Sequence, residues 1–183
     1  MDLARTLDSE GVQSCLVAGN LPYHITSPAL FHLLGVEGDQ AWRGRASTMV
    51  FTVQREVGVR MAASPGTRDY GSLSVAVGYA AKCELLFGVS PQCFVPQPDV
   101  ESVVVRLKPV PPRLDAERER LFLKMVRAAF GQRRKTLLNA ISVAAGDKAA
   151  AASLLARAGI DGSRRGETLG LEEFLRLTQA GKV

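Results

Sequence analysis

Cys15-Leu-Val-Ala-Gly-Asn-Leu-Pro-Tyr23, followed by His24-Ile25-Thr26-Ser27-Pro28, is the stretch that decides the fold. Cys15 to Gly19 is apolar on both faces and predicts a short buried strand. Ser27 and Pro28 predict a helix start, the serine as N-cap and the proline at the first helical position. An amide and a phenol, Asn20 and Tyr23, therefore fall just past the carboxyl end of a strand. In open α/β sheets that crevice is where ligands bind. The amide oxygen of Asn20 and the backbone carbonyl of Leu21 are both acceptors for an exocyclic base amine. Tyr23 offers a ring to stack on a base, and Pro22 stiffens the backbone between them.

Outward from this stretch the periodicities continue in alternation. Residues 1–14 read as helix or loop. Leu30, Phe31, Leu33 and Leu34 give a helix one apolar face, and Gly35 ends it. Ala46 to Val53 is β-branched and nearly uncharged, a second buried strand. Gln54 opens a helix through Ala63, which Ser64-Pro65-Gly66-Thr67 breaks. A third helix starts at Tyr70-Gly71-Ser72 and runs to Ala81. Strands are expected at Cys83–Val89 and Ser102–Leu107. Pro96 and Pro98 forbid a regular ladder between them and fix a stiff, extended loop. Lys108-Pro-Val-Pro-Pro112 is a rigid connector, so residues 1–108 and 109–183 are read as two domains. Beyond it all is helical, at 115–130, 134–144, 148–158 and 171–180, with Phe122, Met125, Val126 and Ala129 facing a small core.

The 183 residues are 46% hydrophobic and 22% charged, the balance of a globular chain with a real core. No apolar run reaches the roughly 18 residues that a membrane span needs, and the first residues lack a signal-peptide layout. The expectation is a cytoplasmic protein with no membrane partner. Cys15, Cys83 and Cys93 form no Cys-x-x-Cys pair, and His24 and His32 stand near none of them, so no metal site is expected. The net charge of +5 is unevenly spread. Residues 1–108 hold 9 Lys/Arg against 10 Asp/Glu, whereas residues 109–183 hold 14 against 8. A basic second segment points to a polyanion such as nucleic acid. Arg133, Arg134 and Lys135 concentrate it. They follow Gly131, read as opening the next helix, and there they oppose its dipole, a cost that a phosphate backbone would offset.

Asn20-Leu21-Pro22-Tyr23 resembles the [Asp/Asn/Ser]-Pro-Pro-[Tyr/Phe/Trp] motif of amino-methyltransferases that use S-adenosylmethionine. Its spelling is that of the KsgA family of ribosomal RNA adenine dimethyltransferases. Phe94-Val-Pro-Gln-Pro-Asp-Val-Glu-Ser102 resembles that family's Phe-x-Pro-x-Pro-x-Val-x-Ser. Phe130-Gly-Gln-Arg-Arg-Lys-Thr-Leu-Leu-Asn139 resembles its Phe-x-x-Arg-Arg-Lys-x-x-x-Asn. Gln54-Arg-Glu-Val57, Tyr70-Gly-Ser-Leu-Ser74 and the closing Arg165-Gly-Glu167-Thr-Leu169 agree with it as well. The resemblance implies an α/β fold, the second half of a Rossmann-like methyltransferase sheet followed by a small all-α RNA-binding domain. It implies that Asn20, Leu21, Pro22 and Tyr23 are catalytic, that Tyr23 and Phe94 stack on the target base, and that Asn20 touches the cofactor's reactive end. Arg133, Arg134 and Lys135 would hold RNA. The implied substrate is an adenosine in a loop of small-subunit (16S) ribosomal RNA, within a pre-30S particle.

The family's cofactor half has no counterpart in this sequence. No Gly-x-Gly-x-Gly turn follows any expected strand, and the chain reads as beginning midway through a catalytic domain. It is therefore expected to be inactive alone and to bind S-adenosylmethionine weakly or not at all. The strand at 15–19 is expected to lack a neighbour on one edge, which invites self-association. Two other functions fit the same residues. One is a non-catalytic RNA- or ribosome-binding module. The other is a large-subunit ribosomal RNA methyltransferase of the antibiotic-resistance class.

Overall fold

Alternation decides the sheet. Met49, Phe51 and Val53 on one strand and Val103, Val105 and Leu107 on another are all buried, and the residues between them are not. A period of two puts each set on one face of a pleated ladder. The computed structural model describes residues 3–36, 44–132 and 134–181. Its first elements are α1 (Leu3–Ser9), β1 (Cys15–Asn20), α2 (Thr26–Leu33), β2 (Ala46–Gln54), α3 (Arg55–Met61) and α4 (Ser72–Ala80). β3 (Ala81–Val89), β4 (Ser102–Pro109), α5 (Ala116–Gly131), α6 (Leu137–Ala145), α7 (Lys148–Ala158) and α8 (Leu171–Ala180) follow. Short 3-10 turns stand at Tyr23–Ile25, Pro91–Cys93 and Gly166–Thr168.

The four strands form one mixed sheet in the order β1-β2-β4-β3. β1 runs parallel to β2; β2 with β4 and β4 with β3 are antiparallel. On the buried face α3 comes very close. A Cβ at Gly58 would run into Val103 Cγ1, so only glycine fits this approach. On the opposite face the register sets Asn20, Thr52, Val104 and Phe87 in one row. That face is open: Leu16 is 65% exposed and Phe87 62%. The expectation of a buried strand at 15–19 is therefore corrected. Among the described residues β1 pairs with β2 alone, the open edge that was expected, but Leu16, Ala18, Gly19 and Asn20 are exposed; an apolar run by itself does not distinguish burial from exposure.

The chain divides into two compact units, Met1–Ala62 with Val77–Arg113, and Ala63–Ala76 with Leu114–Val183. The sequence reading put residues 63–76 in the first domain. In the structure they belong with the second unit. The Tyr70 hydroxyl donates to the Leu169 carbonyl at 2.8 Å. Its ring lies edge-on to Phe130 with centroids 5.7 Å apart, and the Gly66 N–H donates to the Glu167 carbonyl. The second unit is otherwise helical. Asp115 caps α5 and Asp147 caps α7, each accepting from the backbone N–H three residues on. Gly159, left-handed at φ 65°, ends α7.

Two helix starts differ from the expected ones. α2 begins at Thr26 rather than after a Ser27 cap, and the buried Thr26 hydroxyl bonds back to the carbonyls of Pro22 and Tyr23. α6 begins at Leu137, so Arg134 and Lys135 lie in the turn before it and do not open it. The first N–H groups of α6 donate to the carbonyls of Arg164 and Gly162, which a loop distant in sequence supplies. Among the described residues no helix is long and apolar enough to cross a membrane.

Candidate functional site

Several of the residues singled out from the sequence gather at the end of β1. Asn20, its last residue, pairs with Thr52 of β2. The Leu21 N–H continues the ladder one step, donating to the Thr52 carbonyl at 3.1 Å. Pro22 then turns the chain at φ −58°, ψ 130°. The Ile25 N–H and the Thr26 hydroxyl both donate to its carbonyl, at 3.1 Å each. A proline with two donors on its oxygen has little freedom left. The turn thus follows directly from a strand end and passes directly into a helix.

Tyr23 is held at its far end. Its hydroxyl lies 2.6 Å from the Oγ of Ser102, the first residue of β4, which is wholly buried. Phe94 arrives from the loop between β3 and β4. It follows the Pro91–Cys93 turn in an extended conformation, φ −121°, ψ 148°, with its N–H on the Pro91 carbonyl. Asn20, Leu21, Pro22 and Tyr23, and with them Phe94, Val95, Pro96 and Pro98, line one open cavity of about 260 Å³. Asn20 is exposed; Tyr23 and Phe94 are partly buried. None of the eight lining residues is charged. Such a slot suits a neutral planar ring with one polar edge better than a phosphate or a carboxylate.

Of the residues singled out from the sequence, Asn20, Leu21, Pro22, Tyr23 and Phe94 thus share one cavity. Arg134 and Lys135 are exposed, in the turn between α5 and α6 of the other unit, where the Lys135 N–H donates to the Gln132 carbonyl. Arg133 lies outside the described residues. Sequence reasoning assigned no role to Ser102. It closes the Phe-x-Pro-x-Pro-x-Val-x-Ser pattern, which marks the position, but its partner stands 79 residues earlier in the chain.

Residues 5–180 match a family model described as ribosomal RNA adenine dimethylase. Among curated proteins the chain is similar to ribosomal RNA small subunit methyltransferase A of several bacteria. Identity is 46% over 173 residues with that of Bacillus cytotoxicus, covering 92% of this chain and 57% of the relative. It is 44% over 166 residues with that of Alkaliphilus metalliredigens, covering 89% and 56%. The chain thus spans little more than half the length of these relatives. Among solved structures, a dimethyladenosine transferase from Plasmodium falciparum aligns with a TM-score of 0.70 at 21% identity, covering 96% of this chain and 75% of that one. The 23S rRNA methyltransferase ErmE aligns at 0.60 and 22%, covering 92% and 65%. These two likenesses establish a shared fold.

Proposed function

The chain belongs to the ribosomal RNA adenine dimethylase family, and from that premise we propose that it carries the acceptor-base site of a small-subunit ribosomal RNA adenine N6-dimethyltransferase. The observation that carries this reading is the convergence of Asn20, Tyr23 and Phe94 on one uncharged cavity. The adenine amine is a poor nucleophile because its lone pair is delocalised into the ring. The Asn20 amide oxygen and the Leu21 carbonyl accept its two hydrogens and favour the pyramidal form that attacks. Tyr23 and Phe94 hold the ring by stacking, at roughly 1–3 kcal/mol per base. A loop adenosine is cheaper to bring into such a slot than one stacked in a duplex.

S-adenosylmethionine is the methyl donor in this reading. The residues of this chain do not fit it as a complete site. Asn20 stands at a strand end where the reactive group would approach, but no Gly-x-Gly-x-Gly turn follows any of β1 to β4. The chain alone is expected to bind the cofactor weakly or not at all and to be inactive alone. Arg133, Arg134 and Lys135 serve the RNA backbone, which positions without reading sequence. The partner is small-subunit ribosomal RNA in a pre-30S particle, in the cytoplasm. The curated relatives, at 44–46% identity and named for the small subunit, favour that target over the large subunit. The Tyr23 hydroxyl, bonded to Ser102, suits a second reading, a non-catalytic RNA-binding module in which Tyr23 and Phe94 simply pack.

One experiment separates them. The chain is assayed for methyl transfer to undermethylated small subunits, alone and fused behind the part of the Bacillus cytotoxicus relative that the match leaves uncovered. The fusion is expected to transfer methyl groups, and Asn20→Ala and Tyr23→Ala each to lower the rate about 100-fold or more, the scale of losing a positioning or stabilising group. A fusion that binds subunits but never methylates them, or variants as active as the parent, would overturn the proposal.

A further inference from the structure

Ser102 is the first residue of β4 and is held from both sides, paired with Gln54 of β2 and with Val89 of β3. Its side chain is 0% exposed, and its hydroxyl lies 2.6 Å from that of Tyr23. A buried hydroxyl requires a partner, and here each hydroxyl is the other's. The torsion that turns a tyrosine ring is soft and broad, so packing at the Cβ end alone leaves its plane loosely defined. Fixing the oxygen at the far end removes that freedom. Ser102 also ends the loop that begins at Phe94. One strand residue therefore holds both the hydroxyl of Tyr23 and the end of the loop that carries Phe94.

We propose that Ser102 is a positioning residue: through its hydrogen bond it fixes the plane of Tyr23 in the cavity that Phe94 also lines and so sets the slot into which the base stacks. This rests on the reading of the cavity as the acceptor-base site. It follows that the phenol of Tyr23 serves as an anchor, engaged with the strand and turned away from proton transfer to the substrate. Tyr23→Phe and Ser102→Ala then remove the same bond and cost the same, and the double variant costs no more than either.

The test uses the full chain and an RNA hairpin with one loop adenosine replaced by 2-aminopurine, whose fluorescence is quenched when it stacks. Binding of the hairpin is followed separately by anisotropy of an end label. The native chain is expected to quench. Ser102→Ala and Tyr23→Phe are each expected to lower the ratio of stacked to unstacked base roughly five-fold, the worth of one net hydrogen bond, and to weaken hairpin binding by no more than that factor. If Ser102→Ala does not fold, Tyr23→Phe, which leaves the strand intact, decides alone. Quenching lost in Tyr23→Ala but native in both Ser102→Ala and Tyr23→Phe overturns the positioning role and leaves the site standing. Quenching by Tyr23→Ala equal to that of the native chain overturns the site reading, and the role of Ser102 with it.

Discussion

Glu173 shows how much one carboxylate can organise. One of its oxygens accepts from Arg164 Nη1 at 2.6 Å; the other accepts from Arg164 Nη2 at 3.1 Å and from the Gly170 N–H at 3.0 Å. It therefore caps α8 and pins the Arg164 loop with the same group. The Arg164 hydrogen bonds hold its pKa below the usual carboxylate range against the opposing effect of burial, and the Gly170 N–H and the Arg164 and Arg176 charges add to the lowering. The sign follows from linkage. A folded-state pKa below the unfolded value gives stability that is present above the unfolded pKa and lost as pH falls through the folded one. Thermal unfolding of the native chain is expected to lose more stability as the pH falls below the ordinary carboxylate range than that of Glu173→Gln, which has no proton to take up there. At neutral pH the variant is expected to be less stable by about 1 kcal/mol or less, because the pair is partly solvated. Parallel pH profiles for the two proteins would contradict this account.

At the scale of elements, close approach matters as much as periodicity. The Gly166–Thr168 turn lies against α5 so tightly that a Cβ on Gly166 would fall 2.6 Å from the Ala129 carbonyl oxygen. Backbone cannot swing aside as a long side chain can. Gly166→Ala is expected to cost about 1–3 kcal/mol or more in urea unfolding, as overpacking does. Gly78 is the contrast: it sits exposed in α4 with nothing within 4 Å of the space a Cβ would take. Gly78→Ala is expected to stabilise by about 0.5–1 kcal/mol, the helix-propensity difference. Equal effects of the two substitutions would mean that local propensity, and not the contact with α5, governs the turn. The same division explains which boundaries the sequence revealed. α7 and α8 lie at 148–158 and 171–180 as expected, because their caps, or the glycine before them, are local. The starts of α2 and α6 moved because Pro22, Tyr23, Gly162 and Arg164 supply their partners.

For the molecule as a whole, the open sheet face and the edge of β1 are the features that reach outward. β1 has β2 on one side and no strand on the other among the described residues, and Leu16 projects from it largely in solvent. Unpaired edges with apolar residues recruit other chains. The proposed self-association through this edge predicts that sedimentation velocity detects dimers growing with concentration, and that Leu16→Glu shifts the chain toward monomer without lowering its unfolding temperature. A native chain that is monomeric at every concentration would refute it.

By itself the sequence marked where the elements lie and which residues come to share one cavity. Alternation, 3.6-residue spacing, prolines and glycines are local signals, and they marked all four strands and the Asn20–Tyr23 and Phe94 segments. It could not determine what lies beside what. The exposure of β1, the passage of residues 63–76 to the helical unit and the bond from Tyr23 to Ser102 each depend on a partner tens of residues away or on a covering surface. Only the folded chain decides those, because burial and hydrogen-bond satisfaction are properties of neighbours in space, and a pattern along the chain records which faces want partners without naming the partner.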